Sequence, residues 1–165
     1  MARVCLVGEE EITLQYELLS RETSRNALAA YDLEEPFANS IAVETVSLGA
    51  AVALLNDLDW YLARFVEAAF VREPSVSDTE WLSRAMATAI RDGDVAPTDS
   101  GRFLKVYGLE PVETTVDDES GEDSPQYRLV EPMLLARTGQ TIPEYDLRDV
   151  EQTLTVRVTE SEFGA

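Results

Sequence analysis

The sequence of 165 residues is long enough for one hydrophobic core, and its 45% content of hydrophobic residues excludes a disordered chain. Its 13 basic residues stand against 32 acidic ones, so the net charge is −19. The absence of His and the presence of a single Cys exclude Ser-His-Asp and Cys-His catalysis, His-ligated zinc, zinc fingers and iron–sulfur clusters held within one chain.

The acidic residues are spread along the whole sequence, and only one of the 13 basic residues, Lys105, is a lysine. A dispersed excess of carboxylates favours a halophilic protein, because molar salt shortens the Debye length to about 3 Å and mutes the repulsion. The alternative is one acidic patch that docks on a basic partner or mimics nucleic acid. Binding to nucleic acid is disfavoured, because duplex affinity comes largely from basic residues that neutralise phosphates.

The first half of the chain contains alternating signals for strands and helices. Its apolar segments predict a strand, one or two helices with a break near residues 20–24, a second strand and a core helix. In chain order these elements are Arg3–Val7, residues 12–33, Ile41–Val46 and Leu48–Leu55. Cys5 lies within the first strand, where a buried, inert thiol is expected.

The segment Leu58–Phe70 is apolar enough for either a helix or a strand, and the sequence leaves both open. Its aromatic residues Trp60, Tyr61 and Phe65 favour packing in the core over a ligand cage. Charged and polar residues interrupt the apolar run that begins at Ser47, so the run is too short to span a membrane.

A capping box, in which Ser77 is followed three residues later by Glu80, predicts the start of a helix. Apolar residues then recur at helical spacing, and Gly93 stands where a helix would end. These features together predict a helix over Asp78–Asp92.

The second half of the chain begins with a predicted strand at Arg102–Leu109. Residues 110–126 are rich in acidic residues and contain no basic ones, which predicts an acidic flexible loop or linker. The stretch "VDDESGEDSP" within this segment lacks the glycine spacing of an EF-hand loop, so a calcium site is excluded there. Residues 127–160 are predicted to supply C-terminal strands that complete the sheet.

The last of these strands, Thr153–Thr159, has a regular alternation of residues. Leu154, Val156 and Val158 are expected to point inward, whereas Arg157 and the threonines are expected to face water. Together the elements predict an α+β (or α/β) fold as a single domain over residues 1–165, with a mixed sheet of about four to six strands packed against three or four helices.

The sequence contains two weak candidate sites. Asp57 and Asp59 have the D-x-D spacing that can hold a divalent metal ion, although their position at the end of an apolar run favours helix capping. Arg21 and Arg25 are one helical turn apart and could clamp an anion, although pairing with neighbouring glutamates is favoured.

A nucleophilic serine paired with the only lysine is a further option, and it is disfavoured. Lys105 could act with Ser83 or Ser100 only if burial made its amine neutral, and its strand position is expected to face outward. The sequence contains no phosphate-binding loop and no dinucleotide fingerprint, so no cofactor is predicted.

The segments "RVCLVG", "QYELLSRET", "VSLGAAVALLNDLDWYL" and "EWLSRAMATAIRDGD" give the chain a resemblance to a family of short, acidic, uncharacterised proteins from haloarchaea. The resemblance covers nearly all of the chain except the acidic segment. It implies a halophilic, cytoplasmic protein, and it supplies no catalytic or binding residue.

These observations predict a non-catalytic regulatory or adaptor protein of a salt-rich cytoplasm, which acts through a protein partner or through self-association. The first alternative is a small enzyme that uses Mg²⁺ or a nucleotide through Asp57 and Asp59. A protein associated with nucleic acid is the third.

Overall fold

A computed structural model describes residues 1–112, 126–137 and 152–164 of the chain. These residues form seven strands and six helices, together with a short 3-10 turn at Pro97–Asp99. The strands are β1 (Ala2–Gly8), β2 (Ser40–Thr45), β3 (Val66–Arg72), β4 (Trp81–Ser83), β5 (Phe103–Pro111), β6 (Tyr127–Ala136) and β7 (Gln152–Val158). The helices are α1 (Leu14–Leu19), α2 (Glu22–Leu28), α3 (Leu48–Asp57), α4 (Asp59–Phe65), α5 (Arg84–Asp92) and α6 (Glu160–Gly164).

The seven strands form one mixed sheet in the order β2-β1-β3-β4-β7-β5-β6. All neighbouring strands are antiparallel except β4 and β7, which are parallel and pair Trp81 with Val156. β6 lies at an edge of the sheet, and this position accommodates Pro132, which has no N–H to donate to a further strand.

Both faces of β1 are buried, which explains its continuous apolar run. Val4 and Leu6 contribute to a first core that includes residues of α1, α2, α3 and α5. Cys5 and Val7 point to the opposite face, where a second core contains Trp81 and other aromatic residues. A strand with two buried faces loses the alternation of polar and apolar residues.

The α+β prediction is confirmed as a mixed α/β architecture, but the predicted four to six strands and three or four helices are both too few for the seven strands and six helices of the described residues. β3 and β4 account for the difference in strands. Leu58–Phe70 is a helix followed by a strand, because α4 ends at Phe65 and Val66 begins β3. That the chain forms a single domain stays a prediction.

The helix predicted over Asp78–Asp92 begins six residues late, at Arg84. Ser77 does accept a hydrogen bond from the Glu80 N–H at 3.0 Å, but the chain then forms β4. Ser83 is the true N-cap and accepts from the N–H of Met86 at 3.0 Å. At the other end, Gly93 ends the helix as predicted, with a φ of 80° that suits glycine.

The C-terminal half partly follows the prediction. Leu154, Val156 and Val158 of β7 are buried as expected. The prediction that Arg157 faces water is wrong, since only 13% of its side chain is exposed. β5 extends to Pro111, so the predicted acidic loop begins later than residue 110, and its residues 113–125 lie outside the described part of the chain.

Among the described residues, no helix is long and apolar enough to cross a membrane.

The buried thiol of Cys5 leads us to predict that the stability of the protein depends on pH. Burial raises the pKa of its thiol from 9.0 to about 12, against the opposing charges of Arg3 and Arg72. Because the unfolded chain loses this proton first, the free energy of unfolding should fall as pH rises from about 9 to about 12. Urea unfolding at a series of pH values measures the effect.

The matched control is Cys5→Ala, which removes the thiol and should flatten part of this decline. Tyr107 contributes to the same trend in both chains, because burial raises its pKa above 10.0. An equal decline in both chains would contradict the assignment to Cys5.

Candidate interaction surface

Five side chains at α4 form a continuous set of ring and guanidinium contacts, which we call the α4 surface: Arg21, Trp60, Tyr61, Arg64 and Phe65. Trp60 meets Tyr61 edge-on at a centroid distance of 5.0 Å and Phe65 at 6.2 Å. The guanidinium of Arg64 lies 4.2 Å from the Trp60 ring centre, and that of Arg21 lies 4.6 Å from the Phe65 ring centre. The arginines therefore stack on the rings and hold them in place.

Helical spacing explains why the four residues of this surface that belong to α4 share one side of the helix. Trp60 and Arg64 are four residues apart, as are Tyr61 and Phe65, so each pair is adjacent on the helix surface. Leu62 is buried and attaches the opposite side of the helix to the first core. Tyr61 and Phe65 pack against the same core with part of their surface.

The prediction that the aromatic residues of this segment lie in the core is wrong for Trp60, because 52% of its surface is exposed. The prediction failed because it assumed a single element over residues 58–70. Trp, Tyr and Arg are the residue types that most often dominate the energy of protein–protein contacts. The α4 surface thus has the composition of a binding surface.

Acidic residues border the α4 surface. The N–H of Glu9 donates to the Phe65 carbonyl at 3.0 Å, which places the Glu9–Glu11 loop beside α4. Glu17 accepts from Arg21 Nη1 at 2.7 Å, and Asp59 accepts from Arg84 Nη1 at 2.7 Å. An aromatic centre with an acidic border suits a protein surface better than a phosphate-bearing polymer.

Asp57 and Asp59 lie exposed at the junction of α3 and α4. The N-cap of α4 is Leu58 and no side chain caps it, so the expected capping by these carboxylates is wrong. Asp59 is held instead by Arg84, which also donates to Asn56 at 3.1 Å and ties α5 to this junction. Among the described residues, no group of three or more acidic or Cys side chains could hold a metal ion.

Arg21 pairs with Glu17, as the sequence favoured, and also donates to the Glu17 carbonyl at 2.7 Å. Arg25 lies in the last turn of α2 and is exposed. Because Nη1 of Arg21 is already bonded and its guanidinium stacks on Phe65, an anion clamp with Arg25 would have to displace contacts that exist.

Lys105 and Ser83 line one pocket of about 650 Å³, together with Tyr107 and Glu162. Ser83 Oγ donates to the Glu162 carboxylate at 2.6 Å, and the Lys105 Nζ lies 5.4 Å from the Tyr107 ring centre. Ser100 is fully buried and donates to the Pro97 carbonyl at 2.7 Å. Both hydroxyls therefore have structural partners, and neither is paired with the lysine as a nucleophile.

The sequence predicts core packing for Trp60, Tyr61 and Phe65, and this is wrong only for Trp60, because Tyr61 and Phe65 pack against the first core. Arg64 was the available signal, because a charged residue four positions after a tryptophan on a helix brings that tryptophan to the polar side. Arg21 could not be linked to Phe65 from the sequence, since Arg21 directly precedes α2 and Phe65 ends α4, more than 40 residues later.

The fold and the α4 surface define a mixed α/β protein that presents an aromatic and arginine surface on one of its helices. The chain belongs to a family of unknown function, DUF5804, whose model matches residues 2–109. The matched range contains the whole α4 surface. A search of curated proteins and a search of solved structures returned no match.

Proposed function

We propose that this chain is a non-catalytic regulatory or adaptor protein of a halophilic cytoplasm, which acts through a protein partner or a second copy of itself. The observation that carries the proposal is the half-exposed Trp60, stacked on Arg64 at the centre of the α4 surface. A large ring held in place by its neighbours can be buried by a partner at little cost in side-chain entropy.

The negative charge around the α4 surface favours a particular kind of protein partner. The acidic border of the α4 surface and the net charge of −19 favour a protein segment that has apolar anchors and basic flanks. A second copy fits when salt screens the repulsion, because Arg64 can then face the acidic border of the other chain. A salt-rich cytoplasm supplies that screening.

Trp60 provides a direct measurement of such a contact. We expect its fluorescence to become less accessible to acrylamide when the protein is concentrated or a partner is added, because the contact buries the ring. Trp81 is the second tryptophan and is buried, so it contributes little to the quenching. The Trp60→Phe chain, in which only Trp81 remains, should show no change.

Sedimentation velocity in concentrated KCl tests the second copy directly. Trp60→Ala should weaken self-association by roughly 30-fold, which corresponds to the about 2 kcal/mol of a central tryptophan. Val46→Ala is the matched control, because Val46 is 81% exposed between β2 and α3, outside the α4 surface, and its substitution should leave self-association unchanged.

Photo-crosslinking tests a different partner. A benzoylphenylalanine residue at position 60 should crosslink in cells to one protein, whose purified form then binds in a manner that depends on Trp60. The same residue at position 46 should not give this product. A chain that stays monomeric and gives no crosslink specific to position 60 would refute the proposal.

A further inference from the structure

A second cluster of charged residues lies away from the α4 surface, where β4, β5, β6 and β7 come together. Arg157 Nε donates to Glu80 Oε1 at 2.7 Å, and Arg137 Nη2 donates to Glu80 Oε2. Their side chains are only 13% to 18% exposed. Among the described residues, two guanidinium groups therefore share one carboxylate in a mostly buried place.

The sheet explains why these distant residues meet. Glu80 directly precedes β4, and β4 runs parallel to β7 with Leu82 paired to Arg157. Arg137 directly follows β6, and its N–H donates to the Arg102 carbonyl at 2.8 Å just before β5 begins. Three strand ends thus deliver one carboxylate and two guanidinium groups to the same point.

The loop before β5 completes this arrangement. Arg157 Nη1 donates to the buried Ser100 Oγ at 2.9 Å. Gly101 lies so close to Arg137 that a Cβ at this position would be 2.7 Å from Nη1. The missing side chain of Gly101 makes the space that the guanidinium of Arg137 occupies.

Arg137 has a side-chain nitrogen without a hydrogen-bond partner in the described part of the chain. Its Nε is buried and has no hydrogen-bond partner among the residues that the structure describes. A guanidinium has N–H donors on all three nitrogens, and the bonds to Glu80 and Ser100 use only some of those on Arg137 and Arg157. An unused donor inside a protein is costly unless a further acceptor reaches the group.

The two arginines line a pocket of about 740 Å³, large enough for a small organic molecule. Val95, Pro97 and Val158 give the pocket an apolar wall, and Arg102 adds a third guanidinium. The pocket is also lined by three acidic residues, Asp94, Asp99 and Glu160, and these are exposed, as is Arg102. The least exposed charged side chains of the lining are Arg137 and Arg157, so its more buried part is positive.

We infer that this arginine pocket binds the oxyanion group of a small molecule, either a phosphate or a carboxylate, with the rest of the molecule on the apolar wall. Arginine forks match both oxyanions geometrically. Glu80 accepts from both guanidinium groups and fixes their orientation, and both arginines line the pocket. This site is separate from the α4 surface and is independent of the function proposed above.

A pure structural ion pair is the competing explanation, and it accounts for less of the geometry. One arginine would balance Glu80, whereas the described part of the chain brings two to it, and one of these has a nitrogen without a partner there. A structural role also gives no reason for a large pocket beside the ion pair. The third arginine of this pocket, Arg102, forms no ion pair with a carboxylate among the described residues.

Titration with inorganic phosphate and, separately, with succinate tests the inference at constant ionic strength, using the full chain. We expect a dissociation constant of about 1 mM for at least one of the two anions. In ¹H–¹⁵N spectra the Nε–H signal of Arg137, identified by its loss in Arg137→Lys, should move as the anion binds. This measurement uses the unaltered protein and does not depend on the folding of a variant.

Arg137→Lys should weaken anion binding at least roughly tenfold, because lysine keeps the charge and loses the fork. The matched control is Arg128→Gln, which removes an exposed arginine of β6 that is bonded to Glu110 and should leave binding unchanged. A preference for phosphate or for succinate supports the inference and identifies the ligand class. Absence of binding up to about 50 times the expected constant, or equal binding by Arg137→Lys in its folded form, would overturn it.

Discussion

Replacing Glu80 by Gln is expected to lower the free energy of unfolding by about 3 kcal/mol. The carboxylate holds two mostly buried arginines, and the amide that replaces it can neutralise neither. Removing one member of a buried ion pair typically costs roughly 3 to 5 kcal/mol, because the charge left behind has lost its water and its partner. Urea unfolding in concentrated KCl without phosphate measures the loss.

Glu34→Gln is the matched control for this experiment. Glu34 also pairs with an arginine, Arg3, at 3.4 Å, but 57% of its side chain is exposed. An exposed ion pair contributes about 0.5 kcal/mol or less, and concentrated salt reduces it further. Equal losses from the two substitutions would show that the network around Glu80 is not buried from solvent as described.

Leu82→Ala is expected to lower the free energy of unfolding by about 3 to 4 kcal/mol. Leu82 is fully buried in the first core, and it lies in β4, the three-residue strand between the two halves of the sheet. Deleting a fully buried leucine side chain removes its burial and leaves a cavity that neighbours fill only in part. The midpoint of urea unfolding should fall without a large change in its slope.

The same substitution at Leu134 should cost less than about 1 kcal/mol, because Leu134 is 46% exposed on the edge strand β6. A loss at Leu134 as large as that at Leu82 would contradict the described sheet order. A small loss at Leu82 would indicate that β4 is not packed against the helices.

The local sequence pattern was enough to predict those elements whose tertiary contacts favour the same structure as the local sequence does. β1, β2 and α3 follow from apolar runs and caps, and Ser47 caps α3 through the Ala50 N–H at 3.0 Å. The alternation of β7 was also sufficient to place Leu154 in the core. In these segments tertiary contacts reinforce the local preference.

Long-range contacts decide the parts that the sequence could not predict. The segment after Ser77 has the pattern of a helix, but the Glu80 carboxylate bonds arginines 57 and 77 residues away and the chain extends into β4. Arg157 has the pattern of a solvated strand residue and is buried for the same reason. The sequence around Glu80 and the sequence around Arg157 contain no sign that these two residues are partners. The arginine pocket therefore could not be derived from the sequence.

The sheet order has a consequence for how a newly made chain folds. Among the described strands, β5 reaches the first four only through β7, which follows all the others in the chain. Until residue 158 has left the ribosome, β4 and β5 each lack the neighbour that β7 provides, and unpaired edges invite contact with other chains. The six earlier strands of the described sheet therefore depend on β7 to join them, and a chain that stops within the range 2–109 of the family match would lack both described neighbours of β5.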